Sequence, residues 1–116
     1  MNREKEFSVT PFKRALFRIR IAREGTVRRG SEVASCSITE LTTKGMGLST
    51  DLRAAQGDQL DVTFALTDGE SICCQILVTH AMHPCLGGRI TSISIAHESQ
   101  LARFIDQHIA TTLSPI

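Results

Sequence analysis

Arg14 and Arg18 stand four residues apart in the segment Lys13-Arg14-Ala15-Leu16-Phe17-Arg18. A guanidinium group presents a planar fork of N–H donors that grips phosphate oxygens in pairs or stacks on a flat ring. Residues 19–39 separate this pair from Glu40-Leu41-Thr42-Thr43-Lys44-Gly45. There a carboxylate can accept two N–H donors from the edge of a guanine, and a hydroxyl two residues on can contact the same ring. The glycine lets the backbone turn sharply and come close to a ligand. Together the two segments suit a ligand that carries both phosphate and a hydrogen-bonding base. Each charged hydrogen bond is worth roughly 1.5–3 kcal/mol, so a few of them plus stacking reach micromolar affinity, about −8 kcal/mol. Taken singly, each segment has a plainer reading: a basic outer strand surface, and a strand end with its turn.

Other candidate chemistry is thinner. His80, His83 and Cys85 are residue types that ligate zinc, but no fourth ligand is evident nearby. Pro84 and Gly87-Gly88 account for that segment as a loop, and no metal is expected. Cys73 has no adjacent base that would activate its thiol. The chain has no Gly-x-Ser-x-Gly, Walker or His-Glu-x-x-His motif. It therefore reads as a binding module, not an enzyme, with no catalytic residue and no cofactor.

The elements that must position these residues fit in 116 residues, enough for one modest core and too few for two. Residues 1–12 read as a flexible arm and residues 13–113 as a single domain. The formal net charge is +1, so the whole molecule is not a nucleic-acid magnet. The first thirty residues are locally basic, with Arg3, Lys5, Lys13, Arg14, Arg18, Arg20, Arg23, Arg28 and Arg29 against Glu4, Glu6 and Glu24. With no Trp or Tyr and five Phe, the chain has few platforms for stacking single-stranded DNA or RNA, and neither is expected as a partner. No apolar run marks a signal peptide or a membrane insertion. The spacing of Cys36, Cys73, Cys74 and Cys85 is not that of a disulfide scaffold, which suggests reduced thiols in the cytoplasm.

Period-two alternation runs through most of the chain. Phe17, Ile19 and Ile21 share one face opposite Arg18 and Arg20, and Gly25 and Arg29-Gly30 read as turns. Ala34, Cys36 and Ile38 form a second stripe, and a short strand follows around Met46 and Leu48. Leu60, Val62, Phe64 and Leu66 lead into Thr67-Asp68-Gly69-Glu70, a hairpin turn. Adjacent Cys73 and Cys74 then point to opposite faces, with Ile72, Cys74, Ile76 and Val78 sharing one. Pro84 and Gly87-Gly88 break the chain before a sixth strand, Arg89–Ile93. Leu101, Phe104, Ile105 and Ile109 recur at helical spacing, predicting a helix from about Glu98 to Thr112 against the barrel. The expected fold is all-β: a six-stranded antiparallel β-barrel with a C-terminal α-helix.

Arg14-x-x-x-Arg18 followed by Glu40-x-Thr42-x-x-Gly45 resembles the paired Arg-x-x-x-Arg and Asp/Asn-x-Ser-x-x-Gly signature of PilZ domains, bacterial receptors for cyclic di-GMP. The second half is degenerate: Glu40 replaces Asp/Asn and Thr42 replaces Ser, while Gly45 is kept. Gly45-Met46-Gly47-Leu48 and Gly87-Gly88-Arg89-Ile90 look like strands of the same family, and the resemblance spans about residues 13–110. It implies the same barrel plus helix. It also implies that Arg14 and Arg18 grip the phosphates and stack on guanine, Glu40 and Thr42 hydrogen-bond the base, and Gly45 permits the turn. The implied function is a cyclic di-GMP receptor that relays the signal to a downstream protein partner. The alternative, motivated by Glu40 and Thr42, is an adaptor of the same fold that binds no nucleotide and acts through protein contacts.

Overall fold

The computed structural model describes residues 18–67 and 69–113. The expected arm at 1–12, Arg14 and Phe17 lie outside the described residues, as does Asp68. Alternation becomes six strands: β1 (Ile19–Arg29), β2 (Glu32–Leu41), β3 (Gly45–Thr50), β4 (Gln59–Thr67), β5 (Glu70–Met82) and β6 (Cys85–Ile93), followed by helix α1 (Ile95–Leu113). They close into a barrel in the order β1-β2-β3-β6-β5-β4. Every neighbouring pair is antiparallel. Closure leaves no sheet edge to be protected from other chains.

The inward stripes are those the alternation predicts. Leu60, Val62, Phe64 and Leu66 of β4 and Ile72, Cys74, Ile76 and Val78 of β5 are buried. The β4–β5 turn uses Gly69 at φ 82°, a left-handed conformation that a Cβ disfavours. Cys73 is exposed and Cys74 buried. Burial pushes the Cys74 thiol up to about 12 and the Cys36 thiol up to about 11, so both stay protonated and pack as small apolar groups.

Helix α1 joins the barrel core through Leu101, Phe104, Ile105 and Ile109. It starts earlier than the apolar spacing predicts because Ser94 caps it: the His97 N–H donates to Ser94 Oγ at 3.1 Å, a bond from the third helical residue to the N-cap. The His97 ring then accepts the Cys73 N–H on Nδ1 at 3.1 Å, fastening the first turn to β5. Arg23 of β1 ties in the middle of the helix. Its Nε donates to Leu66 O at 2.9 Å, and its guanidinium lies 5.5 Å from the Phe104 ring centroid.

Two glycine positions differ from the sequence expectation. Gly25 is not a turn; β1 runs straight through it, paired with Phe64 of β4. A Cβ at Gly25 would stand 2.5 Å from the Thr63 carbonyl oxygen and 2.8 Å from Phe64 Cβ, so the glycine lets the β1 and β4 backbones approach closely. Gly87 and Gly88 likewise do not break the chain but lie inside β6, which begins at Cys85. A Cβ on Gly88 would come within 2.7 Å of Ile76 Cδ1.

Candidate functional site

The β2–β3 connection is built around one hydroxyl. Thr42 Oγ1 accepts the N–H groups of Lys44 at 3.0 Å and Gly45 at 2.9 Å and donates to Gly45 O at 3.3 Å. The Thr42 N–H also donates to Gly45 O, at 2.9 Å. Side-chain-to-backbone bonding of this kind substitutes for a backbone turn. The Thr42 hydroxyl is therefore occupied in holding the turn, and contact with a base requires it to exchange one of these bonds.

Gly45 opens β3 without a positive φ. What demands glycine there is close approach: a Cβ would collide with the carbonyl oxygen of Gly88 on β6. The turn is sealed to β6 by the Ile90 N–H, which donates to Lys44 O at 2.7 Å. Gly45 thus serves the joint between β3 and β6, where the sequence suggests a glycine that serves the turn.

Arg18 stands at the foot of β1, beside the end of β2. Its Nη1 lies 3.6 Å from Glu40 Oε1, with the two side chains 72% and 35% exposed. An ion pair so open to water is worth about 0–1 kcal/mol, less than one charged hydrogen bond to a phosphate at roughly 1.5–3 kcal/mol. A phosphate can therefore take Arg18 from Glu40, releasing the carboxylate for N–H donors. Arg14, the other half of the pair, lies outside the described residues.

Arg18, Glu40, Thr42 and Gly45 line one cleft of about 560 Å³, within the ~300–1,000 Å³ typical of small-molecule sites. Sequence reasoning missed the remainder of its wall and floor. Two bulges shape it. In β2 the pairing jumps from Ile38↔Leu48 to Glu40↔Gly47, leaving Thr39 as the extra residue; in β5 it jumps from Val78↔Gly88 to His80↔Gly87, leaving Thr79. A bulge re-aims the side chains around it. Each extra threonine donates its hydroxyl to the glycine opposite: Thr39 to Gly47 O at 3.2 Å and Thr79 to Gly87 O at 3.3 Å. The spacing of Thr39 and Thr79 in the sequence carries no signal for this. The glycine pairs at 45 and 47 and at 87 and 88 do, since glycine within a strand often marks close approach of another group.

Among the described residues no cluster of three or more His, Cys, Asp or Glu could hold a metal ion, and none of their helices is long and apolar enough to cross a membrane.

The PilZ domain family model matches residues 12–107. No curated protein matches the sequence. Among solved structures, the chain is similar to the Bacillus subtilis inhibitor of motility MotI/DgrA, at TM-score 0.71 and 11% identity, covering 81% of this chain and 49% of that one. The chain thus spans about half the length of MotI/DgrA. It is also similar to the PilZ domain of CeSA from a cellulose-synthesizing bacterium, at TM-score 0.59 and 16% identity, covering 85% of this chain and 99% of that one. At these identities the likeness is one of fold.

Proposed function

We propose that this chain, which belongs to the PilZ domain family, is a receptor module for cyclic di-GMP. Members of the family are binding and adaptor modules that generally take this second messenger. The supporting observation is that Arg18, Glu40, Thr42 and Gly45 line a single cleft, although residues 19–39 separate the first from the others. In this reading Arg14 and Arg18 hold the phosphates and stack on guanine. Glu40, released from Arg18, accepts N–H donors of a guanine edge, and the Thr42 hydroxyl exchanges one of its turn bonds for a bond to the same base. Ligand binding then favours whichever arrangement of the basic lead-in segment grips it. That population shift is the signal passed to a protein partner. No covalent step is involved.

Calorimetric titration with cyclic di-GMP tests the proposal, on wild type and on the double variant Arg14→Ala/Arg18→Ala. Micromolar binding by wild type that the double variant abolishes is the expected result. No heat at tens of micromolar wild-type protein would sink it.

The second reading is an adaptor that binds no nucleotide, and two observations favour it. Glu40 is long enough to reach Arg18 in the free protein, and the Thr42 hydroxyl is spent on its own turn. The double change Glu40→Asp/Thr42→Ser separates the readings. Binding that appears only in this variant assigns the wild-type chain to the adaptor class; tight wild-type binding removes that class.

A further inference from the structure

The cleft has a floor and a far wall that the two-part motif leaves unexplained. Across four neighbouring strands, one row of paired residues reads Glu40, Gly47, Gly87, His80. Strand spacing of about 4.8 Å puts the two outer backbones on the order of 14 Å apart along the sheet. Between them lies bare backbone.

Neither glycine of that floor is required by its own conformation, since neither has a positive φ. Packing does not require Gly87 either. Among the described residues, a Cβ there would meet only His80 Cβ, at an ordinary 3.5 Å. At Gly47 a Cβ would come 3.3 Å from Glu40 Cβ, which moves only with its own backbone, and 3.7 Å from both Glu40 Oε1 and Thr39 Oγ1, so packing accounts for part of the glycine there. Gly25, Gly45 and Gly88 are different, because each would drive a Cβ into the chain's own atoms. Glycine in the middle of a strand weakens it, and the floor keeps Gly87, beside Gly47, where a side chain would fit.

The floor's chemistry says what fits there. The carbonyls of Gly47 and Gly87 already accept the hydroxyls of Thr39 and Thr79, so the surface is flat and has few polar groups to spare. Glu40 at one wall repels a phosphate but accepts the N–H edge of a base. His80 at the other is exposed and offers an aromatic ring with a donor or acceptor at its rim.

We propose that Gly47 and Gly87 are the floor on which one purine of the dinucleotide lies, and that His80 is a ligand-contacting residue at its far wall. This deepens the receptor reading and rests on it. The phosphates lie toward Arg18, outside the trough.

The test is cyclic di-GMP titration of the full chain as wild type, Gly87→Val and His80→Ala, with thermal unfolding of each. Gly87→Val is expected to unfold as wild type does, because its side chain enters open space, and to lose about tenfold or more in affinity by filling the trough. His80→Ala is expected to bind several-fold more weakly. Should valine disturb the fold, Gly87→Ala adds a single methyl at the same point and is expected to weaken binding in the same direction. Wild-type binding that survives the Gly87 change overturns the floor while leaving the receptor reading intact. His80→Ala with wild-type affinity overturns the far wall. Absence of binding by wild type overturns the receptor reading and the trough with it.

Discussion

Opposite stretches of the same barrel treat their outer surfaces in contrary ways. Across β1, β4 and β5, and where the β1–β2 turn and the segment before β4 meet them, side chains cross-link one another. Asp61 accepts Arg28 Nη2 at 2.9 Å and Gln75 Nε2 at 3.0 Å, and Arg29 bridges Glu32 and Asp58 at 2.8 and 2.7 Å. Across β2, β3, β6 and the end of β5, the strands carry glycine where side chains could meet, and the flanking residues stand back as walls. On the first face Arg28, Arg29, Asp61 and Gln75 all have side-chain partners. The second holds Arg18 and Glu40 in a loose, exposed pair and leaves a cleft. Cross-links hold the first face together, whereas the cleft lies where the sheet gives up side chains.

Four substitutions sharpen that contrast. The largest effect is expected where the open face meets the fold itself. Gly45→Val forces a side chain into the Gly88 carbonyl, and overpacking against backbone should cost about 3 kcal/mol in urea denaturation. A loss under about 1 kcal/mol would mean that the β3–β6 joint yields more easily than its geometry implies. Arg18→Ala comes next and acts on binding. Losing charged hydrogen bonds worth roughly 1.5–3 kcal/mol lowers affinity for cyclic di-GMP about ten- to hundredfold. Its stability should stay within about 1 kcal/mol of wild type, because the pair with Glu40 is exposed.

Thr42→Ala removes the hydroxyl that organises the β2–β3 turn and should cost about 1–2 kcal/mol in stability. Unchanged unfolding would show that the backbone bond from Thr42 N–H to Gly45 O holds the turn unaided. The smallest effect belongs to the cross-linked face. Asp61→Asn should change stability by less than about 1 kcal/mol at neutral pH and leave nucleotide affinity as it was.

The acid limb of stability carries a matching signature. The Gln75 amide and the Arg28 guanidinium hold the Asp61 carboxyl below its usual range. The Ala55 N–H and Arg29 do the same for Asp58. The unfolded chain then binds protons more readily than the folded one. The contribution of these groups is fully present above the unfolded carboxyl value of about 3.9 and is lost as pH falls through the lower folded values. Asp61→Asn should therefore flatten that acid limb in a denaturation series run against pH. An unchanged slope would place the acid sensitivity elsewhere.

Much of this architecture is legible in the sequence because it is local. Alternation such as Leu60, Val62, Phe64 and Leu66 reports one buried face of a strand, and Asp68-Gly69 marks a hairpin by its backbone needs alone. The arginine and Glu40–Gly45 segments show which residue types to look for, and the fold brings Arg18 to Glu40. What escaped is what depends on a neighbour across the sheet. Gly25 reads as a turn signal, yet its glycine answers to the backbone at Thr63 and Phe64 on another strand. Gly87-Gly88 reads as a break, yet Gly88 answers to Ile76, and Gly87 sits in an open row between Gly47 and His80. The bulges at Thr39 and Thr79 are matters of register, which no single strand can declare. In sequence His80 is a residue type that ligates zinc, and its place opposite Glu40 comes from pairing alone.

Amide chemical-shift mapping by ¹H–¹⁵N spectroscopy during addition of cyclic di-GMP bears most directly on the claim that the glycine-floored face is the binding face. The expected result is movement concentrated at residues 39–47 and 79–88, with Arg28, Asp61 and Gln75 unmoved. Shifts gathered instead around Asp61, or no shifts at saturating nucleotide, would contradict it.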